Sequence, residues 1–282
     1  MKCNSNRKIS FLIIFIVYVL ASACGVIVFN MLGFDLWLNL LIADVCATVI
    51  TFAFSLVFSN ASVYDPYWSV QPIVICLGLA ISGTRLTAMI MVLCVCVWGV
   101  RLTANWAYTF LGMAHQDWRY TMLKEKTGKM YPVINFLGIH LFPTLVVYAC
   151  ILPVVYAIRM AVAFNLISII GCAISIFAVG IQTISDIQMQ KYRKEKTTPF
   201  INSGLWKYSR HPNYLGEILM WWGMAIAFIL AVPSMWYLSL GALVNTLMFL
   251  IVSIPMAEKR QSKKQGFSEY KERTRVLLPI RK

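Results

Sequence analysis

The chain has 282 residues, 60% of them hydrophobic and only 13% charged, with a mean hydropathy of +0.72. A soluble domain of this size carries roughly twice that charged fraction, so the composition excludes an ordinary water-soluble globule. The formal charge of +14 is not a nucleic-acid signature, because the basic residues flank apolar runs instead of sharing one polar domain.

Apolar runs long enough for about 30 Å of hydrocarbon are predicted at Ile9–Phe29, Leu36–Phe58, Leu86–Phe110, Pro132–Ile158, Phe164–Ile184, Tyr214–Ala231 and Trp236–Ile254. The first run loosely resembles a signal peptide at Ala21-Ser-Ala-Cys24, but further spans follow at once, which favours an uncleaved helix. A shorter run, Trp68–Ser82, is marginal on length. Twenty-two of the 25 basic residues fall in four places: the N-terminal tail, the loop after Phe110, the loop after Ile184 and the C-terminal tail. The positive-inside rule puts all four in the cytosol, and the parity works only if Trp68–Ser82 also crosses. The expected fold is therefore all-α: one integral membrane domain over 1–282 with about eight transmembrane helices, or seven if the short segment is re-entrant. Both termini are expected in the cytosol, in the endoplasmic reticulum of a eukaryote or the inner membrane of a bacterium. A small cytosolic face is expected from 111–131, 185–212 and 257–282.

The eight cysteines lie almost entirely in the apolar runs and read as packing residues. Cys94 and Cys96 have no histidine near them in sequence, so no zinc site is expected. Three ionisable residues inside spans are costly enough to need a partner or a cavity: Asp44, Arg101 and Glu217. A structural Asp44–Arg101 pairing would account for two of them. The loop from Asn60 to Gln71 holds Asp65 among Tyr64, Tyr67 and Trp68. Asp65 precedes Pro66 and is expected to be extended. Desolvation among aromatics would raise its proton affinity and suit it to proton donation, although an aromatic-belt turn explains the same residues. Asn60-Ala-Ser62 is a glycosylation sequon placed on the cytosolic side.

The most informative stretch, Gly204 to Glu217, reads Gly-Leu-Trp-Lys-Tyr-Ser-Arg-His-Pro-Asn-Tyr-Leu-Gly-Glu. Pro212 suits the first position of a helix. The amides behind it direct a positive dipole end toward an anion beside Arg210 and His211. Asn213 and Glu217 continue the polar face into the span, four residues apart. Membrane anchoring does not require that, and a ligand site does. After Ile184, a polar, basic turn carries Asp186, Arg193 and Lys194.

These residues resemble the signature of the steroid 5α-reductase C-terminal-domain membrane proteins, in a poorly characterised branch. Asn60 to Trp68, Trp98-Gly-Val-Arg-Leu102 with Asp117-Trp-Arg-Tyr120, and the tail from Glu258 through Tyr270 to Pro279 agree, so the resemblance covers about 60 to 282. It implies an oxidoreductase that binds NADPH from the cytosol and transfers hydride to a C=C bond of a membrane-embedded lipid or sterol-like substrate. It assigns cofactor contacts to Asp186, Arg193, Arg210, His211, Asn213, Tyr214, Lys259, Arg260 and Tyr270. Glu217 is assigned to the nicotinamide end, and Tyr64 or Asp65 to proton donation. The Gln–Glu pair that polarises the ketone in steroid reductases has no counterpart here. Related motifs occur in S-adenosylmethionine-dependent membrane methyltransferases, which often carry a Glu-Glu pair in the tail where this chain has Glu258-Lys259. A third reading is a transporter or scaffold using Asp44 and Arg101, which leaves the cluster from Arg193 to Glu217 unexplained. Membrane lipids and one lipid-embedded small molecule are the expected partners, without nucleic acid.

Overall fold

A computed structural model describes residues 6–81, 83–163 and 165–279. Lys2, Cys3, Ser82, Phe164, Arg281 and Lys282, which the sequence reading used, lie outside them. Among the described residues the regular structure is helical, with one isolated bridge between Ser209 and Arg275. We number the long helices α1 (Arg7–Met31), α2 (Leu36–Val57), α3 (Tyr67–Ala80), α4 (Leu86–Thr109), α5 (Trp118–Arg159), α6 (Leu166–Glu195), α7 (Pro212–Ile229), α8 (Pro233–Gln261) and α9 (Phe267–Arg273). Six of them, α1, α2, α4, α5, α6 and α8, are long and apolar enough to cross a membrane.

Two expected spans fall short of that measure. The first, α3, has 14 residues, a rise of only about 21 Å. The other, α7, has 18 residues and carries Asn213 and Glu217 inside its first two turns. Two helices are also longer than the apolar runs, one starting before its run and one continuing past it. The loop expected at 111–131 is helical from Trp118, where the Asp117 carboxylate accepts the Arg119 amide at 2.8 Å and caps α5. The basic turn expected after Ile184 is instead a helical extension of α6. It stops only at Lys196, whose φ of 46° is left-handed. Polarity marks the edge of the apolar environment, whereas a helix ends where its backbone hydrogen bonding ends.

The described residues form two compact packing units. The first contains α1 to α3, the second half of α4 from Gly99, and α5 to Leu152. Asn6 caps α1 by accepting the amides of Lys8 and Ile9. The helix then lies along α2, with Gly25 facing Ala43 and Ala47. Ile14, Val17, Val63, Phe110 and Met113 form one buried cluster; Ala21, Ala47, Tyr64 and Tyr67 form the next.

The second unit contains the first half of α4 to Trp98, and the chain from Pro153 onward. Its centre is the antiparallel pair α6 and α7. Ser168 donates to the Ala227 carbonyl at 2.9 Å and Ser175 to the Met220 carbonyl at 2.8 Å, while Gln182 meets Glu217. Gly171 and Gly223 set the separation. A Cβ on Gly223 would lie 2.6 Å from the Gly171 carbonyl oxygen, and one on Gly171 would lie 2.5 Å from that of Gly223. Small residues on both faces let the two backbones approach, as in membrane helix pairs generally.

Candidate functional site

Glu217 sits where α6, α7 and α4 supply donors to one buried carboxylate. Its Oε2 accepts from Trp98 Nε1 at 2.9 Å and from Gln182 Nε2 at 2.8 Å; its Oε1 accepts from Trp221 Nε1 at 2.9 Å. The two indoles meet edge to face, with ring centroids 4.8 Å apart. A carboxylate at 5% exposure is tolerated here because three neutral N–H groups converge on it. The same bonds fix the orientation of Gln182, since only its amide nitrogen can donate to Glu217. That leaves Gln182 Oε1 as a buried acceptor with no partner among the described residues, and one turn before Glu217 the Oδ1 of Asn213 is in the same condition. Two unsatisfied acceptors on adjoining helices can accept from a ligand donor or from water.

Arg210 and His211 are brought together just before the first turn of α7, but against the protein's own tail. Arg210 Nε donates to Glu258 Oε1 at 2.7 Å, and its Nη1 donates to the carbonyls of Lys271, at 3.1 Å, and Thr274. Lys271 Nζ lies 3.0 Å from the other Glu258 oxygen. His211 Nε2 stands 3.5 Å from Glu258 Oε1, an ion-pair distance but too long for a good hydrogen bond. The backbone completes this clasp: the amides of Arg210 and His211 donate to the carbonyls of Arg275 and Val276. Pro212 occupies the expected helix start, and no side chain caps the turn. Tyr214 stacks parallel to His211, at 5.2 Å and 3°, and meets Phe249 at 4.8 Å.

The remaining expected cofactor residues are spread along the unit. Asp186 is half-buried on α6. Arg193 is exposed in the last turn of that helix, and Lys259 and Arg260 are exposed in the last turn of α8. Tyr270 donates to the Trp206 carbonyl and packs on Phe200 and Phe267, and burial pushes its phenol above the ordinary range. It anchors the tail.

Tyr64 and Asp65 belong to the first unit. Asn60 organises their loop: its Oδ1 accepts the Ser62 amide at 2.8 Å, and its Nδ2 donates to the carbonyls of Met113 and His115. Tyr64 is buried against Thr144 Oγ1 at 2.8 Å, and desolvation raises its phenol, which stays protonated. Asp65 is not extended. Its φ and ψ of −49° and −44° are helical, because its amide closes the turn onto the Ser62 carbonyl while Tyr120 donates to its Oδ1 at 2.7 Å. Together these contacts outweigh the steric bias before proline. The expected Asp44–Arg101 pairing is replaced as well: Asp44 Oδ1 accepts from Tyr67 at 3.0 Å and Oδ2 from Gln71 at 2.6 Å.

Burial raises Asp65 from 3.8 to about 6, against the opposing pull of the Tyr120 hydrogen bond and the Arg119 charge. A carboxyl whose folded pKa is raised is favourable below its unfolded pKa, and that advantage is lost as pH rises through the folded one. Wild-type stability is therefore expected to fall between about pH 4 and 7 relative to Asp65→Asn, which keeps an acceptor for Tyr120. Thermal midpoints of both proteins across that range check the sign; parallel curves would remove the titration from Asp65.

Helical architecture and membrane-length apolar spans define a helical integral membrane protein. The chain belongs to the family described as "Protein of unknown function (DUF1295)", whose model matches residues 51–274. It is 28% identical over 194 residues to "Uncharacterized protein C594.04c" of Schizosaccharomyces pombe, a stretch covering 57% of this chain and 56% of that one. The chain thus spans a little over half the length of that relative. No solved structure matches.

Proposed function

We propose that the protein is an NADPH-dependent reductase of a C=C bond in a membrane-embedded lipid or sterol-like substrate. The observation that carries this reading is the pair of unpaired buried acceptors, Asn213 Oδ1 and Gln182 Oε1, on the two helices joined by Glu217. A nicotinamide carboxamide offers two N–H donors and fits that chemistry, and the resemblance of Gly204 to Glu217 to the reductase signature points to the same group. When bound, the cofactor supplies the hydride. Asn213 and Gln182 would hold the carboxamide. Glu217 would act through them, because its own oxygens are engaged by Trp98, Gln182 and Trp221. Arg193, exposed at the end of α6, is assigned to the phosphates in place of Arg210, whose Nε and Nη1 serve the clasp. Asp65, at about 6, is suited to release a proton near neutral pH.

The experiment is thermal stabilisation of the detergent-purified protein by NADPH, NADH and S-adenosylmethionine. NADPH is expected to stabilise most, and Asn213→Ala to weaken its affinity about tenfold through loss of one buried hydrogen bond. Preferential stabilisation by S-adenosylmethionine would transfer the site to the methyltransferase reading. Equal NADPH affinity in Asn213→Ala would remove the carboxamide from this helix pair.

In the same proposal, α3 and α7 complete about eight crossings, with both termini cytosolic. Cysteines placed at Lys196 and Lys263 on a cysteine-depleted background are expected to label only after the cytosolic face is opened. Labelling from outside intact cells would overturn this topology.

A further inference from the structure

We infer that the C-terminal strap builds a binding groove for the phosphate headgroup of an anionic membrane lipid. The chain after α9 turns back over the start of α7. Thr274 Oγ1 donates to the Lys207 carbonyl at 3.4 Å, the Ser209 hydroxyl to the Val276 carbonyl at 3.3 Å, and the Arg210 amide to the Arg275 carbonyl at 3.0 Å. Between the strap and Arg210 lies an open cavity of about 380 Å³, lined by Arg210, Lys271, Arg275, Val276, Leu277 and Leu278.

Half of that lining is cationic and half aliphatic, and the two halves ask for different parts of one ligand. Three cations converge while the clasp contributes a single carboxylate, Glu258, so the groove keeps positive charge after internal pairing. Arg210 is 6% exposed and held in place by Glu258 through Nε and by two carbonyls through Nη1. A guanidinium pre-positioned in this way at the cavity wall, with Lys271 and Arg275 beside it, suits a phosphate group. Val276, Leu277 and Leu278 supply an aliphatic wall, and Leu278 is 54% exposed. A free phosphate has no use for that wall. A nucleotide base would gain from an aromatic face, and the lining offers none. A phosphate ester carrying an acyl or similar chain uses both halves. The inference does not rest on the cofactor reading, which places its phosphates at Arg193.

The test is retention of lipid by the full-length protein purified in mild detergent and incubated with phosphatidic acid, phosphatidylglycerol or phosphatidylcholine, read by native mass spectrometry. Inorganic pyrophosphate and NADPH serve as competitors. The two anionic lipids are expected to be retained over phosphatidylcholine. Arg275→Gln, which leaves the backbone bridge to Ser209 intact, is expected to lower that retention about fivefold through loss of one charge-assisted contact. Leu278→Ser is expected to lower lipid retention without changing competition by pyrophosphate. Equal retention of all three lipids, or unchanged retention in Arg275→Gln, would overturn the inference. So would an Arg275→Gln protein that loses NADPH-induced stabilisation, since the groove would then hold the nucleotide. Arg193→Ala distinguishes the two readings: it is expected to weaken NADPH binding and leave lipid retention as in the wild type.

Discussion

Glu217→Ala is expected to destabilise the detergent-solubilised protein by about 3–5 kcal/mol, among the largest effects of any single substitution in the chain. The substitution removes the acceptor on which Trp98 Nε1, Trp221 Nε1 and Gln182 Nε2 all converge. Trp98 and Trp221 are fully buried and Gln182 is 1% exposed, so none of the three N–H groups can turn to water. Glu217→Gln is not a silent removal of charge. Its remaining carbonyl oxygen belongs where two donors meet, at Trp98 and Gln182, which turns its amide nitrogen toward the Trp221 N–H. Two donors then face each other, at a cost of about 1–3 kcal/mol. Trp221→Phe removes the opposed N–H, so it is expected to cost less in the Glu217→Gln background than in the wild type. Unfolding midpoints of the four proteins in that cycle give the coupling. A Glu217→Gln protein as stable as the wild type, with no coupling to Trp221, would show that the carboxylate does not organise these helices.

What the sequence made legible follows from which forces act locally. The starts and ends of α1, α2 and α4 are close to the expected runs because apolar length and helical length coincide there. They part company at Trp118 and at Ser185, where helices continue as polar or basic segments with a cap at one end and a left-handed residue at the other. Pro212, Asn213 and Glu217 were visible as a helix start with a polar face because they are neighbours in sequence. The partners that define their chemistry were not, since Gln182 is 35 residues from Glu217 and Glu258 is 48 from Arg210. Gln182 carried a signal all the same: an amide in the apolar run from Phe164 to Ile184 needs a partner for the reason Glu217 does. The Asp65 conformation was hidden differently. The proline rule is a local bias, and Tyr120, brought from α5, overrides it.

Glu258→Ala is expected to release the C-terminal strap, and the size of the effect follows from what the carboxylate neutralises. Arg210 and Glu258 have side-chain exposures of 5% and 12%, at a separation of 2.7 Å, and Lys271 meets the second oxygen at 3.0 Å. Removing the shared anion leaves a buried guanidinium beside His211 and Lys271 without its counter-charge, a loss of about 3–5 kcal/mol for a buried pair broken on one side. Glu258→Gln keeps an acceptor for Arg210 Nε and is expected to lose less. The strap reports the change directly. In the wild type the carbonyls of Thr274, Arg275 and Val276 are all hydrogen-bonded to residues 209–211, which protects the Arg275–Val276 bond from a protease. Trypsin is therefore expected to cut after Arg275 at least about tenfold faster in Glu258→Ala, as cleavage follows local opening. Cutting after Lys263, which is exposed outside the clasp, is expected to keep its wild-type rate and serves as the internal control. If both sites accelerate together, the substitution has loosened the whole unit. If neither does, the backbone contacts from Ser209 to His211 hold the strap without help from the carboxylate.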